Sequence, residues 1–147
     1  MKRITIVFVT LCMLFLGKNS HANQKNSFEN SKQQTIKVAL LLDTSNSMDG
    51  LINQAKAQLW EIVNELSYAK CEHERPDLNI ALYEYGNDGL SSSNGYIRQV
   101  NAFTSDLDLI SEKLFSLTTN GGNEFCGQVI HTSIDQLEWG TNESDLK

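Results

Sequence analysis

The sequence predicts an α/β protein whose central, mostly parallel β-sheet has helices on both faces. Three observations predict this fold class. An uninterrupted apolar run at residues 38–42 is typical of a strand buried on both faces. Residues 50–70 then repeat apolar side chains at helical spacing. Two further strand-like segments and two further helical segments follow, and such a strand–helix–strand order favours a Rossmann-like sheet with one antiparallel edge strand.

The N-terminal region predicts an export signal followed by a polar tether. A basic start at residues 1–3, an apolar stretch at 4–16 and a small-x-small site ending at Ala22 are typical of a secretory signal peptide. The apolar stretch is too short for a stable membrane span. We therefore expect residues 1–22 to be removed, leaving a secreted or periplasmic protein with no transmembrane span. Residues 23–34 are polar and rich in Asn and Gln, which predicts disorder.

The charge of the mature chain disfavours some classes of partner. The full sequence has 12 Lys and Arg against 18 Asp and Glu. Removing residues 1–22 takes away three basic residues and no acidic ones, which leaves 9 against 18, a net charge of −9. Because nucleic-acid binding depends on neutralising phosphates, this balance argues against nucleic acid and equally against an anionic membrane surface.

The loop after the first strand carries candidate metal ligands. Asp43, Ser45 and Ser47 follow the apolar run directly, at the carboxyl end of the strand, where open α/β sheets bind their ligands. A carboxylate and two hydroxyls are hard oxygen donors that suit Mg²⁺ or Mn²⁺. Three oxygens do not complete an octahedron, so other loops, water or a partner must supply the remaining ligands.

At these residues the chain resembles the von Willebrand factor A domain family, whose metal-ion-dependent adhesion site begins with Asp-x-Ser-x-Ser after the first strand. The match covers Asp43, Ser45 and Ser47 with the strand before them and the helix after them. The resemblance spans roughly residues 35–147. It implies a bacterial-type exported domain that binds Mg²⁺ or Mn²⁺ and takes an acidic side chain of a protein partner at the metal.

The remaining elements follow the order of that family. The first helix has one apolar stripe, with Trp60 beside it, formed by Leu51, Ile52, Ala55, Leu59, Ile62, Val63 and Leu66. Residues 78–85 and 96–103 predict strands, and the turn residues between them favour antiparallel pairing. The second of these is expected at the sheet edge, with Arg98 and Val100 on one face and Ile97 and Phe103 on the other. Ser105-Asp106 can cap the next helix.

A Gly-Gly turn at residues 121–122 precedes a helix predicted at about 125–137. In the family this turn leads to a further metal-binding loop, usually with Thr as the ligand. Here Asn123 or Glu124 takes that place, and we favour Glu124 because some branches of the family use Glu. Thr118 and Thr119 could also reach the site. The alternative is that Glu124 only favours the helix N-terminus through the helix dipole.

The family resemblance also implies elements that the sequence does not contain. A full domain of this type has six strands, whereas three are predicted here, and the fourth would follow Lys147. We therefore expect the domain to be incomplete at its C-terminus. In the family the fourth strand pairs with the far side of the first strand, so the first strand would expose an apolar edge, which is an aggregation liability.

Two cysteines, Cys71 and Cys126, remain after signal removal. An oxidising compartment would favour a disulfide, but the predicted fold places the two residues at opposite ends of the sheet. An internal bond is therefore disfavoured. His131 is predicted to be a packing or surface residue on a helix.

Three functions are compatible with these patterns. The favoured one is an exported, metal-dependent binding module that uses Asp43, Ser45, Ser47 and Glu124, with no nucleophile–base pair and hence no expected enzymatic activity. A scaffold domain with a decayed metal site is the alternative, since no Thr directly follows the glycines. A remote alternative is an aspartic peptidase, because Asp43-Thr44-Ser45 resembles its active-site turn. That enzyme class needs an almost all-β fold, which a long helix after the turn contradicts.

Overall fold

The computed structural model describes residues 34–70, 75–141 and 145–147, which belong to one compact unit, Lys32–Lys147. The predicted signal peptide, the tether apart from Gln34, and Cys71 lie outside the described residues. The elements in chain order are β1 (Thr35–Asp43), α1 (Ile52–Ser67), β2 (Asp77–Tyr85), β3 (Ile97–Thr104), α2 (Leu107–Ser116) and α3 (Cys126–Gln136). Short 3-10 turns at Asn46–Met48 and Ser92–Asn94 complete the described secondary structure.

The described strands form one sheet in the order β1-β2-β3. β1 and β2 are parallel, with Thr35 opposite Asp77 and Asp43 opposite Tyr85. β2 and β3 are antiparallel, and at each of two register shifts between Ile80 and Tyr83 the facing segment of β3 has one extra residue. The predicted α/β fold with one antiparallel edge strand is thereby confirmed.

Helices cover both faces of the sheet because β2 is apolar on both sides. One face of β2 carries Leu78, Ile80 and Leu82, which share a buried cluster with residues of α1 and α2. The other face carries Ala81, Tyr83 and Tyr85, which pack with Val129 of α3 and with Leu137 just after it. Alternate side chains of a strand point to opposite faces, so an apolar run in the central strand can bury two layers at once.

The predicted boundaries differ from the structure by a few residues, for local physical reasons. The sequence predicts that the third strand begins at Tyr96, but Tyr96 has a φ of 55°, in the left-handed region, so β3 begins at Ile97. The predicted cap is confirmed, because the Asp106 side chain accepts a hydrogen bond of 3.0 Å from the Leu109 N–H. Trp60 packs against the α1–α2 cluster.

Lys56 is a buried cation on the predicted apolar side of α1. It is 4% exposed, and its Nζ donates to the carbonyl oxygens of Leu117 at 2.7 Å and Phe115 at 3.3 Å. These carbonyls belong to the C-terminal end of α2, where the orphan acceptors of a helix favour a cation. Lys56 therefore ties α1 to α2.

The C-terminal residues reach the edge of the sheet. Leu146 forms an isolated parallel bridge with Ile36: its carbonyl accepts from Lys37 N–H at 2.9 Å, and its N–H donates to the Thr35 carbonyl at 2.9 Å. Within the described ranges, no helix combines the length and the apolar character that a membrane crossing requires.

Candidate metal site

The candidate site lies at the carboxyl edge of the parallel pair, where β1 and β2 end opposite each other. Asp43 ends β1 and Tyr85 ends β2, so the loops that follow the two strands begin side by side. The Thr44 N–H donates to the Tyr85 carbonyl at 2.9 Å and extends the pairing by one residue into the first loop. The loop that precedes α3 reaches the same edge, so three segments distant in sequence meet there.

Hydrogen bonds within the first loop hold its oxygen atoms close together. The Ser45 N–H donates to Asp43 Oδ1 at 2.9 Å, and Ser45 Oγ lies 2.8 Å from Ser47 Oγ. Thr44 and Ser45 are buried, whereas Ser47 is exposed. The 3-10 turn Asn46–Met48 turns the chain so that Ser47 lies beside Ser45. The loop therefore presents one carboxylate and two hydroxyls, with the last of them open to solvent.

The structure brings Glu124 to the same place. Ser47 Oγ donates to Glu124 Oε1 at 3.2 Å across 77 residues of sequence. Glu124 precedes Phe125, the N-cap residue of α3, and the first turn of α3 contains no acidic residue. The Glu124 carboxylate therefore contacts the serine loop, one residue before the N-cap of α3. Asn123, the second choice from the sequence, is exposed in the same loop.

Gly86 lies at the centre of this arrangement and is one of the turn residues between the second and third predicted strands. A Cβ at this position would lie 2.9 Å from Asp43 Oδ1, 3.2 Å from Ser45 Cβ and 3.4 Å from Glu124 Cγ. The missing side chain therefore leaves the space between these residues open. The signal in the sequence was a glycine directly after the second strand, at the edge where ligands bind.

Gly122 allows the loop before α3 to approach β2. Its φ is 123°, and a Cβ there would lie 1.6 Å from the Gly86 carbonyl oxygen, which only glycine permits. Further hydrogen bonds join this loop to the first loop. Asn46 donates from its N–H to the Gly121 carbonyl at 2.9 Å and accepts from the Gly121 N–H at its Oδ1 at 2.7 Å.

The two threonines before the glycines have structural partners. Thr119 Oγ1 hydrogen-bonds Asp49 Oδ1, which lies just after the serine loop. The Thr118 carbonyl accepts from Asn87 Nδ2 at 3.1 Å. Thr119 thus reaches the rim of the site through Asp49.

Asp43 and Glu124 give the site a negative electrostatic potential. Tyr85 is buried at the end of β2, and burial is the largest cause that raises the pKa of its phenol. A side-chain hydrogen bond with Cys126 and the negative charges of Asp43 and Glu124 raise this pKa further. Two carboxylates thus act on one buried hydroxyl, and a cation placed between them would be favoured.

The residues present fit a hard divalent cation. Two carboxylates and two hydroxyls supply oxygen donors of the kind that Mg²⁺ and Mn²⁺ prefer, and the absent Cβ of Gly86 leaves a gap between them. The described part of the chain contains no cluster of three His, Cys, Asp or Glu side chains, so the serines are essential to any such site.

Two other predictions concern side chains away from this edge. His131 is an exposed residue of α3, as predicted, and its Nδ1 lies 2.7 Å from Asp135 Oδ2. Cys126 is exposed at the start of α3, while its predicted relation to Cys71 lies outside the described residues.

Comparison with known proteins gave matches in structure only. Neither models of protein families nor curated proteins matched the sequence. The solved structure of three N-terminal domains of the type V pili tip protein Mfa5 from Porphyromonas gingivalis has a TM-score of 0.56 at 19% identity. That match covers 76% of this chain and 19% of the other.

Two further structures support the same fold. The vWF domain of Mfa5 gives a TM-score of 0.56 at 19% identity, covering 77% of this chain and 36% of the other. An uncharacterized protein from Alicyclobacillus acidocaldarius gives 0.52 at 18% identity, covering 69% and 40%. This chain thus spans two fifths or less of each structure. It has a von Willebrand factor A-like fold, as the serine loop predicts.

Proposed function

We propose that this chain is an exported, adhesion-type module that binds a protein partner through a divalent cation, without catalysis. The observation that carries the proposal is the meeting of Asp43, Ser45, Ser47 and Glu124 around the open space beside Gly86. The similarity of the fold to a domain of a type V pili tip protein is consistent with an adhesive role.

Each residue has a defined part in this proposal. Asp43 and Glu124 supply negative charge, Ser45 and Ser47 supply neutral oxygens, and all four would hold Mg²⁺ or Mn²⁺. A bound cation would offer a coordination position to an acidic side chain of the partner. Ser47 and Glu124 are exposed, so a partner can approach from their side. With two carboxylates in the set, the cation would be held more firmly but would attract that side chain less strongly.

The first test is thermal unfolding with EDTA, Mg²⁺ or Mn²⁺. A ligand that binds only the folded state raises the unfolding midpoint by mass action, by about 2.7 kcal/mol of stability at a hundred times its dissociation constant. We expect Mg²⁺ or Mn²⁺ to raise the midpoint of the wild type, and we expect Asp43→Ala to abolish that rise. Glu124→Gln should weaken the metal affinity by about tenfold, since a charged ligand becomes neutral.

The control is Asp135→Ala, which removes an exposed carboxylate on α3 and should leave the metal response unchanged. A folded wild type with no metal response would favour the alternative, a scaffold with a decayed site. Circular dichroism of Asp43→Ala separates loss of a ligand from loss of the fold.

A further inference from the structure

A polar cleft of about 400 Å³ lies between β3 and α3. This volume falls within the range of small-molecule sites in proteins, roughly 300–1,000 Å³. The lining of the cleft includes none of Asp43, Ser45, Ser47 and Glu124, so the proposed function makes no use of it.

One wall of the cleft is a row of polar side chains on α3. Gln128, Thr132 and Gln136 follow one another at intervals of four residues, which places them on the same side of the helix. Val129 and Ser133, one position later in each case, are buried. The row therefore lies at the margin of the buried face of α3 and extends for roughly 12 Å along the helix axis.

The other wall is formed by β3 and the turn before it. Ile97 and Gln99 are alternate residues of the strand, so their side chains project from the same face of the sheet. Ile97 belongs to the buried cluster that also contains Val129 of α3, so this face is the one that α3 covers. Asn94 lies in the 3-10 turn that precedes β3. Ile97 thus adds an apolar area to a wall that is otherwise polar.

Two contacts hold amide side chains at the two ends of the cleft. Gln128 packs on Gly95, where a Cβ would lie 2.5 Å from Gln128 Nε2, so glycine allows the side chain to reach the turn. At the other end, Gln136 Oε1 accepts a hydrogen bond of 3.3 Å from the hydroxyl of Tyr83, a buried residue. Because this bond uses the amide oxygen, the NH₂ group of Gln136 stays available as a donor.

The lining of the cleft has no uncompensated charge. Among the described residues that line it, Arg98 alone carries a charge, and its Nη2 lies 2.6 Å from Glu84 Oε1. The internal carboxylate thus compensates the guanidinium. An anionic ligand would find no free cation in this lining, and a cationic ligand would find no free carboxylate. The cleft therefore favours a neutral ligand.

The amides of the cleft can both donate and accept hydrogen bonds, since each offers two N–H donors and a carbonyl acceptor. Within the described part of the chain, the side chains of Asn94, Gln99 and Gln128 form no hydrogen bond. A ligand rich in hydroxyl groups matches such a lining, because each hydroxyl also donates and accepts. Few polar groups would then be left unpaired when the cleft is filled, which is the main cost of covering them.

We infer that this cleft binds a short, uncharged oligosaccharide. The hydroxyl groups of the sugar hydrogen-bond the amides of Gln128, Gln136 and Gln99, and the C–H face of one ring lies on Ile97. The inference goes beyond the proposed function, because it requires neither the metal site nor a protein partner.

An extended peptide is a different class of ligand and fits the observations less well. The side of β3 opposite β2 pairs with no other described strand, so a peptide strand could be added there. Such a peptide would be recognised by backbone hydrogen bonds, however, and the features that distinguish this cleft are side-chain amides on α3. These amides favour the sugar.

The test measures binding of the full 147-residue chain to an array of neutral hexose and N-acetylhexosamine oligosaccharides beside sialylated and sulfated ones. The buffer contains EDTA, so the proposed metal site is empty. We expect neutral glycans to bind and charged glycans to give no stronger signal. The neutral glycan with the strongest signal, once O-methylated, should no longer bind, because a site built to hydrogen-bond hydroxyl groups rejects an analogue without them.

Variants and NMR titration with that neutral glycan locate the binding. The side-chain NH₂ resonances of Gln128 and Gln136 should shift, while those of Gln58, an exposed residue of α1, should not. Gln128→Leu and Gln136→Leu should each weaken the affinity by about fivefold, since each removes hydrogen bonds but keeps a side chain of similar size. Gln58→Leu is the matched control and should leave the affinity unchanged. Thermal unfolding shows whether each variant is folded.

Four results would overturn the inference. The first is a folded wild type that binds no neutral glycan, and the second is a preference for acidic glycans, which would mean that Arg98 recruits anions despite Glu84. The third is an affinity unchanged in both Gln128→Leu and Gln136→Leu. The fourth is a Val- and Thr-rich peptide that shifts the backbone amides of β3 where glycans do not. Because the binding is measured in EDTA, a missing metal response leaves this test unaffected, and failure of the proposed function is distinguishable.

Discussion

At the scale of single residues, Gly86 decides whether the candidate site has room for a ligand. Its φ of 80° lies in the left-handed region, and a Cβ there would lie 2.9 Å from Asp43 Oδ1. We expect Gly86→Ala to cost about 1–2 kcal/mol of unfolding free energy, from the left-handed backbone and the close contact. The substitution should also reduce the metal response, because the methyl group fills the space between Asp43 and Glu124. Urea denaturation and metal titration measure the two effects.

Gly127 provides a matched control for this prediction. It lies in α3, and a Cβ added there meets no atom within 4 Å. Gly127→Ala should stabilise the protein by about 0.5–1 kcal/mol, because alanine favours a helix. If both alanines had the same small effect on stability and metal response, Gly86 would have no special role.

At the scale of elements, Lys56 holds two helices together. Its Nζ donates hydrogen bonds to two backbone carbonyl oxygens at the C-terminal end of α2, and these bonds join α1 to α2. We expect Lys56→Met to lower the unfolding free energy by about 1–3 kcal/mol, because the methionine keeps the apolar stem but removes charged hydrogen bonds. Guanidinium denaturation of the variant measures this loss. Lys113→Met, on α2, is the control with a smaller expected effect, and an equal loss in both would contradict the role of Lys56.

The sequence predicted the elements better than it predicted the contacts between them. The apolar run of β1, the stripe of α1 and the cap at Asp106 are local patterns, and each predicted its element because nearby residues determine it. The sequence places Lys56 on the apolar side of α1 but does not indicate its hydrogen-bond acceptors. Those acceptors are carbonyl oxygens about sixty residues further along the chain. No local pattern reports such a contact.

In the candidate site, too, the residues close together in sequence were predictable, whereas contacts between distant segments were harder to predict. Asp43, Ser45 and Ser47 follow one strand, so their proximity was predictable from the sequence alone. Glu124 came from the family resemblance, and the structure places its carboxylate beside Ser47. Gly86 was missed, because its contribution is the absence of a side chain at a place where three loops meet.

At the scale of the whole molecule, the central strand β2 carries apolar core side chains and one buried carboxyl group. β2 separates the two apolar clusters, and Glu84, which is 2% exposed, lies on it beside the cluster that α1 and α2 share. Burial raises the pKa of Glu84 above its ordinary 4.5, and the Arg98 guanidinium, 2.6 Å away, offsets part of that rise. The stability of the protein therefore depends in part on the protonation of a buried carboxyl group near the C-terminal end of β2.

This arrangement predicts the direction of a pH effect on unfolding. With the folded pKa raised, the folded state keeps its proton at pH values where the unfolded state has lost it. The contribution of Glu84 is therefore fully present below pH 4.5 and is lost as pH rises through the higher, folded pKa. We expect the unfolding free energy of Glu84→Gln, relative to wild type, to increase as pH rises above 4.5, since glutamine stays neutral. Glu112→Gln, on the exposed side of α2, is the control in chemical denaturation across this range. A wild type that gains stability relative to Glu84→Gln as pH rises would mean that Arg98 outweighs burial at this carboxylate.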